Sequence, residues 1–284
     1  MISDYRCFYC FVRAFGEILE KEPISPEKKQ SFTLDMVKFY LDNYGNLTGP
    51  LFSRELHNIL QSYTLNTDPF REEKKHYNDK ALGMMPELEK ITLESEERFD
   101  TALRLAIAGN IIDFAASNSF DLEATIEKAL ISDFAINHSR ELKEKLKSAR
   151  SVLYLGDNAG EIVFDRLFIE TLNHPDLTYV VRGSPVINDA TMEDAEYTGL
   201  TSLVKVISNG YDAPSTIPEK SSEEFRKYFN EADLIISKGQ GNLEGLLPLN
   251  DKRIFFLLMV KCNVMAEFLK VEKGSLVVFN RSLL

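Results

Sequence analysis

Cysteine is scarce. The three in this chain of 284 residues, Cys7, Cys10 and Cys262, cannot make a disulfide framework, and the Cys7/Cys10 pair suits a reducing compartment. Histidine is scarcer than a metal centre would want: His57, His76, His138 and His174 show no metal-ligand spacing. Positive charge is in deficit, with 33 Lys and Arg against 44 Asp and Glu and a formal net charge of −11, which disfavours a broad phosphate-tracking surface and so nucleic acid as a partner. Long apolar runs are missing too. None approaches the roughly 18 residues of a membrane span, and the first residues, "MISDYRCFYCFVRAFGEILEKE", lack the pattern of a secretory signal. A cytoplasmic protein without a membrane segment is the expectation. What is present is an ordinary globular balance, 44% hydrophobic, in a length that suits one large domain or two modest ones.

Two textures divide the chain. Up to about residue 149 the pattern is helical and broken by turn residues. Ser25-Pro26 reads as an N-cap with proline in the first turn, opening a helix to about Asn43 that ends near Gly45. Further helices are expected near 50–64, 69–91, 96–118, 121–135 and 139–149, with Asn118-Ser119 among the breaks. From Ser151 onward short β-rich runs take over: "SVLYLG", "LTYVVRG", "LVKVISNG", "ADLIISKGQG", "RIFFLLMVK" and "SLVVFN". Most are almost continuously apolar, as strands covered on both faces must be, and helical stretches at about 161–172, 189–198, 221–231 and 262–270 supply crossovers. The expectation is an α/β fold: a Rossmann-like, mostly parallel sheet with helices on both faces over 150–284, plus an all-helical domain over 1–149, with the site between them.

Chemistry gathers where strands end. The run "SVLYLGDNAGEIVFD" delivers Asp157 and Asn158 to the carboxyl edge of the sheet, just before a helix that starts near Glu161. A dinucleotide fingerprint wants glycine there, and a carboxylate would repel a pyrophosphate. A hard divalent cation resolves the conflict, because it takes oxygen ligands from Asp and Asn and also bridges to phosphate. More oxygen ligands stand in the next loop, "RGSPVINDATMEDAEYTG", which carries Arg182, Asn188, Asp189, Glu193 and Asp194. The competing structural reading makes Asp157 and Asn158 a turn and a cap, and Asp189 and Asp194 a cap and a solvated helix face.

Three other features suggest substrate handling. "ISKGQGNLEG" reads as a glycine-rich loop in which Gly239 and Gly241 permit close backbone approach while Lys238, Gln240 and Asn242 offer donors. Lys261 is a charge that ends a long apolar run and suits a phosphate clamp. In "FDTALRLAIAGNIIDFA", Asn110 interrupts a stripe of Phe99, Leu103, Ala106, Ile107, Ile111 and Phe114, so it bonds nearby backbone or reaches the pocket. Cys7 and Cys10 share one helix face; two thiols do not complete a zinc site, so they read as a buried pair, with redox or metal use as the alternative.

Taken in order, "AGNIID", "GDNAGEIVFD", "RGSPVINDATMEDA", "SNG", "ADLIISKGQGNLE", "FFLLMVKC" and the amino-terminal Cys-x-x-Cys resemble a known family over nearly the whole chain. It is that of the metal-dependent damage-control phosphatases, once filed as domain of unknown function 89 and also called acidic-residue-methyltransferase-like; the Cys-x-x-Cys is similar to its prokaryotic branch. The resemblance implies one divalent ion (manganese, cobalt, nickel or magnesium) held by Asp157, Asn158 and, by motif, Asp194, with Asp189 as the rival. It also implies that Glu161, Arg182 or Ser184, the Lys238–Asn242 segment and Lys261 line the substrate site, and that the substrates are small phosphomonoesters such as sugar phosphates or damaged metabolites. Met259-Val260 before the lysine departs from the family's Lys-Ala.

The expected reaction is metal-assisted phosphomonoester hydrolysis, with Lys261 and loop N–H groups facing the phosphoryl oxygens. Water and Asp157 both stand as nucleophile at this point. Two rival classes are S-adenosylmethionine-dependent carboxyl methyl transfer, against which the Asp-Asn pair argues, and a non-catalytic, metal-dependent binder of phosphometabolites.

Overall fold

Ser25 and Pro26 open a helix as their order requires. The Ser25 hydroxyl accepts the Lys28 backbone N–H at 3.4 Å, and Pro26 sits in the first turn, where no N–H is needed. A computed structural model describes residues 3–110 and 122–283, the side chains of 122–125 excepted. Helices α1 (Tyr5–Lys21), α2 (Pro26–Asn43), α3 (Gly49–Thr64), α4 (Arg71–Glu94), α5 (Arg98–Ala108) and α6 (Leu122–Ile131) come first. The expected helix across 96–118 is borne out to Ala108; Ile111, Phe114 and the Asn118-Ser119 break lie outside the described residues.

Strand β1 (Phe134–Asn137) follows, where a helix to residue 135 was expected, and then α7 (Ser139–Ser148). The remaining elements are β2 (Val152–Leu155), α8 (Glu161–Leu172), β3 (Leu177–Val181), α9 (Met192–Tyr197), β4 (Lys205–Ser208), α10 (Glu223–Glu231), β5 (Leu234–Lys238), α11 (Gly239–Leu246), β6 (Ile254–Met259), α12 (Asn263–Leu269) and β7 (Leu276–Phe279). One sheet holds the strands in the order β1-β7-β6-β5-β2-β3-β4, parallel except between β6 and β7. The fold is therefore the expected mixed α/β architecture with a mostly parallel sheet. The sheet also draws on residues before 150, since β1 pairs with β7 and α7 places Leu142 and Leu146 in the core beside it.

Strand periodicity explains the layering. Val152, Tyr154, Leu234 and Ile236 point into a core shared with α4, α5 and α8, while Leu153, Leu155 and Ile235 point into another shared with α10, α11 and α12. Helices thus cover both faces, and β2, β3 and β5 are buried throughout, the physical reason for their unbroken apolar sequence. A third core belongs to α1–α3 and is built on Phe15, Phe32, Phe52 and Leu56. No helix among the described residues is long and apolar enough to cross a membrane.

Candidate active site

From β2 the chain winds through β3 to β4 in one direction, and from β5 through β6 to β7 in the other. Ligands of open α/β sheets bind at such a reversal, outside the carboxyl ends of the two strands that flank it. Asp157 lies just beyond β2 and Gly239 just beyond β5. They meet: a Cβ built on Gly239 would stand 1.9 Å from Asp157 Oδ2, and Gly239 has φ +78°. Only glycine fits against that carboxylate.

Asp157 is buried and fully engaged. Its Oδ2 accepts Asn110 Nδ2 at 3.1 Å and Asn158 Nδ2 at 3.0 Å, and its Oδ1 accepts an Arg182 N–H at 3.3 Å. Asn110, the residue that broke an apolar stripe, therefore reaches the site; it also donates to Glu161 Oε2 at 2.7 Å, as Asn158 does at 3.1 Å. Burial pushes the Asp157 carboxyl well above the usual carboxylate range, and Asp189 and Glu161 add to this against Arg182 and Lys261.

Beneath this layer lies a buried ionic group. Lys238 is fully buried at the end of β5; its Nζ lies 2.7 Å from Glu161 Oε1, donates to Ala106 O at 2.8 Å and pairs with Asp165. Tyr154 and Tyr179 donate to the two Asp165 oxygens at 2.7 and 2.8 Å. Burial pushes the Asp165 carboxyl up to about 6 although Lys238 opposes it. Burial pulls the Lys238 ammonium down, yet Asp165 and Glu161 outweigh it and hold the group above its ordinary value. Lys238 thus faces carboxylates from within the fold, and neither it nor Glu161 borders the cavity described below. The segment after it is not an open loop but α11, and Asn242 bonds the carbonyls of Gly156 and Lys238 at 3.0 and 2.7 Å.

The second loop separates its two aspartates. Asp189 accepts Arg182 Nε at 2.5 Å, so one guanidinium joins Asp157 to Asp189, and the backbones of Asn158 and Asp189 form an isolated antiparallel bridge. Asp194 has other partners. Its Oδ2 accepts Thr191 N and Oγ1, both at 2.8 Å, and its Oδ1 accepts Asn78 Nδ2 at 2.9 Å. Lys74 stands 3.6 Å away. The structure thus places Asp194 in the capping box of α9, bonded also to Asn78 on α4, and leaves Asp189 beside Asp157.

A cavity of about 290 Å³ opens over this edge. Asp157, Asn158, Asn188 and Asp189 line it from the loops after β2 and β3; Gln240, Gly241, Lys261 and Cys262 from α11 and the segment after β6; and Ser3, Cys7, Cys10 and Ser53 from the amino-terminal segment, α1 and α3. Arg54 on α3 braces that wall, bonding Asp212 at 2.5 Å. Ser184 is exposed and does not border the cavity, and Arg182 lies beneath it, 2% exposed.

Sequence reasoning missed Asn78, Asp165, Thr216 and the cavity position of Cys262. Thr216 Oγ1 receives Arg182 at 3.2 Å, and Asn78 Oδ1 receives the Gly160 N–H at 2.7 Å. Asp165 carried a signal, four residues beyond Glu161 and so on the same helix face. Asn78 carried none, because its partners are remote in sequence.

Among the described residues, no three or more His, Cys, Asp and Glu side chains are grouped to hold a metal ion. At the switch point the cavity lining, which elsewhere includes Asp4 and Glu244, brings together the Asp157 and Asp189 carboxylates and the Asn158 amide, the oxygen donors that a hard divalent cation takes. With Glu161 directly behind Asp157 and Asn158, the acidic side chains at this edge favour added positive charge, so the residues fit such an ion.

An acid-amide cluster at the switch point of a sheet layered between helices defines a Rossmann-like α/β protein with a small-molecule site. The chain belongs to the damage-control phosphatase family: the Damage-control phosphatase ARMT1-like domain matches residues 3–277. It is 37% identical over 287 residues to a damage-control phosphatase of Pyrococcus horikoshii, covering 98% of this chain and 97% of the relative. A damage-control phosphatase of Archaeoglobus fulgidus is 35% identical over 217 residues, covering 74% and 75%. The crystal structure of a DUF89 family protein from Pyrococcus horikoshii matches with a TM-score of 0.87 at 35% identity, over 99% of both chains. These relatives support a phosphatase function here.

Proposed function

We propose that this phosphatase is divalent-metal-dependent and hydrolyses small phosphomonoesters such as sugar phosphates or damaged phosphometabolites, with Asp157, Asn158 and Asp189 as the ligands. The observation that carries this reading is the convergence of those three side chains with Lys261 on one small cavity at the sheet's switch point. Asp189 replaces Asp194 in the ligand set because it lines the cavity with Asp157 and Asn158, whereas Asp194 does not border it and is bound by Thr191 and Asn78. A cavity of about 290 Å³ suits a metabolite rather than a polymer.

The bound ion would supply Lewis-acid polarisation of a phosphoryl oxygen and a more acidic water. The chain's own residues do the rest. Lys261, which lines the cavity, neutralises phosphoryl oxygens, and Arg182 holds Asp157 and Asp189 in mutual register. Asn110 and Glu161 orient Asp157 and Asn158 from behind, so Glu161 acts as a positioning residue. Asp157 accepts hydrogen bonds on both oxygens, which makes it a poor nucleophile; water attacks phosphorus. A phosphate-release screen over phosphometabolites, with each divalent ion in turn, tests the reading. Metal-dependent release from a few small esters is expected; no release above the metal-free blank with any ester would refute it.

A further inference from the structure

All three cysteines of the chain border the cavity that holds Asp157, Asn158 and Lys261. Cys7 and Cys10 come from α1, and Cys262 is the N-cap of α12. The Cys262 sulfur has fixed neighbours: it accepts Gln240 Nε2 at 3.3 Å and the Met265 backbone N–H at 3.4 Å. Gln240 Oε1 in turn accepts the Lys261 backbone N–H at 3.3 Å, so this sulfur is one side chain removed from the proposed phosphate clamp.

The two helices are held together next to these thiols. Arg6, adjacent to Cys7, pairs with both carboxylate oxygens of Glu267 on α12 at 2.6 and 2.8 Å. Cys7 and Cys262 line the same cavity, and burial pushes the Cys7 thiol up, with Glu244 and Cys262 adding to it. All three thiols are free. A soft metal ion is the obvious other use for them, but among the described residues they are not grouped to hold one.

We propose that this cavity is a thiol-oxidation site, in which Cys7 and Cys262 join in a reversible disulfide between α1 and α12. The bond draws Cys262 from Gln240 and thereby displaces Lys261, so hydrolysis stops; this consequence rests on the function proposed above. With hydrogen peroxide as oxidant, one thiol becomes a sulfenic acid and a water leaves. The other sulfur then displaces the sulfenic hydroxyl, which departs as a second water carrying the remaining thiol proton. Two electrons pass from the sulfurs to the peroxide. Exposed Cys10 is the competing target.

The test treats the full-length protein with graded peroxide and maps unreduced peptides by mass spectrometry. Phosphate release is measured on the same samples before and after dithiothreitol. The expected result is a peptide joining Cys7 to Cys262, with hydrolysis falling about tenfold or more as it accumulates and returning on reduction. Cys7→Ser should give no such peptide. Oxidation confined to Cys10, a Cys7–Cys10 disulfide, stoichiometric zinc on the thiols of the purified protein, or a cross-link without effect on a measurable hydrolysis would each overturn the proposal. Peptide mapping needs no activity, so an absence of hydrolysis in the reduced protein would count against the proposed function and leave the disulfide to be judged on its peptides.

Discussion

The side chain of Asn78 joins Asp194 to the turn after β2: its Nδ2 donates to Asp194 Oδ1 at 2.9 Å while its Oδ1 accepts the Gly160 N–H at 2.7 Å. Asn78 therefore fastens both strand-end loops to α4, and Asp194 is the anchor of the second. Asp189→Asn should lower metal-dependent hydrolysis by about two orders of magnitude or more and weaken metal binding. Asp194→Ala should instead lower stability by about 2 kcal/mol through loss of its cap, with metal affinity changed by less than about tenfold. Calorimetric titration of the metal, with urea denaturation of both variants, distinguishes them; the reverse pattern would return Asp194 to the ligand set.

Lys238 lies between Glu161 and Asp165 with no exposure to solvent. Lys238→Met would leave two buried carboxylates without their cation, a loss of about 3–5 kcal/mol in unfolding free energy. Because Lys238 does not border the cavity, KM should change less than stability does. Unchanged urea unfolding with a large rise in KM would contradict this placement.

Sequence and structure agree best where burial is complete. Strands β2, β3 and β5 are covered on both faces, so their apolar runs announced them. Strand β1 is a four-residue edge strand with an alternating burial pattern, and its partner β7 lies far along the chain, so it read as the end of a helix. Helix α11 was hidden by Gly239 and Gly241, poor helix formers. Tertiary contact explains the second glycine too: a Cβ on Gly241 would come 2.2 Å from Pro214 O. In the site, Asp157 and Asn158 were legible as a conflict with a phosphate loop, and Asn110 as a polar break in a stripe. Which of Asp189 and Asp194 faces Asp157 was not legible, because it depends on a contact with Asn78 in another helix. Lys238 was misread because its glycine neighbours suggested an open loop.

His57 gives the α1–α3 unit a pH dependence. The ring is buried against Phe15, with centroids 5.0 Å apart, and burial pulls it down from 6.5 to about 4. The folded value lies below the unfolded one, so this contribution is fully present above the unfolded pKa and is lost as pH falls through the folded one, by roughly 3 kcal/mol at its full extent. Urea unfolding at about pH 7.5 and about pH 4, compared between wild type and His57→Phe, checks it: the wild type should lose more stability on acidification. Parallel pH profiles would remove His57 from the account.

The most direct measurement of the central claim is phosphate release from an aryl phosphate by wild type and Asp157→Ala, after chelation and again after manganese is restored. Wild-type hydrolysis should vanish with chelator and return with metal, while Asp157→Ala, still folded by circular dichroism, should stay about a thousandfold or more below it. Hydrolysis that survives chelation, or that Asp157→Ala retains, would contradict a metal-dependent site at the switch point.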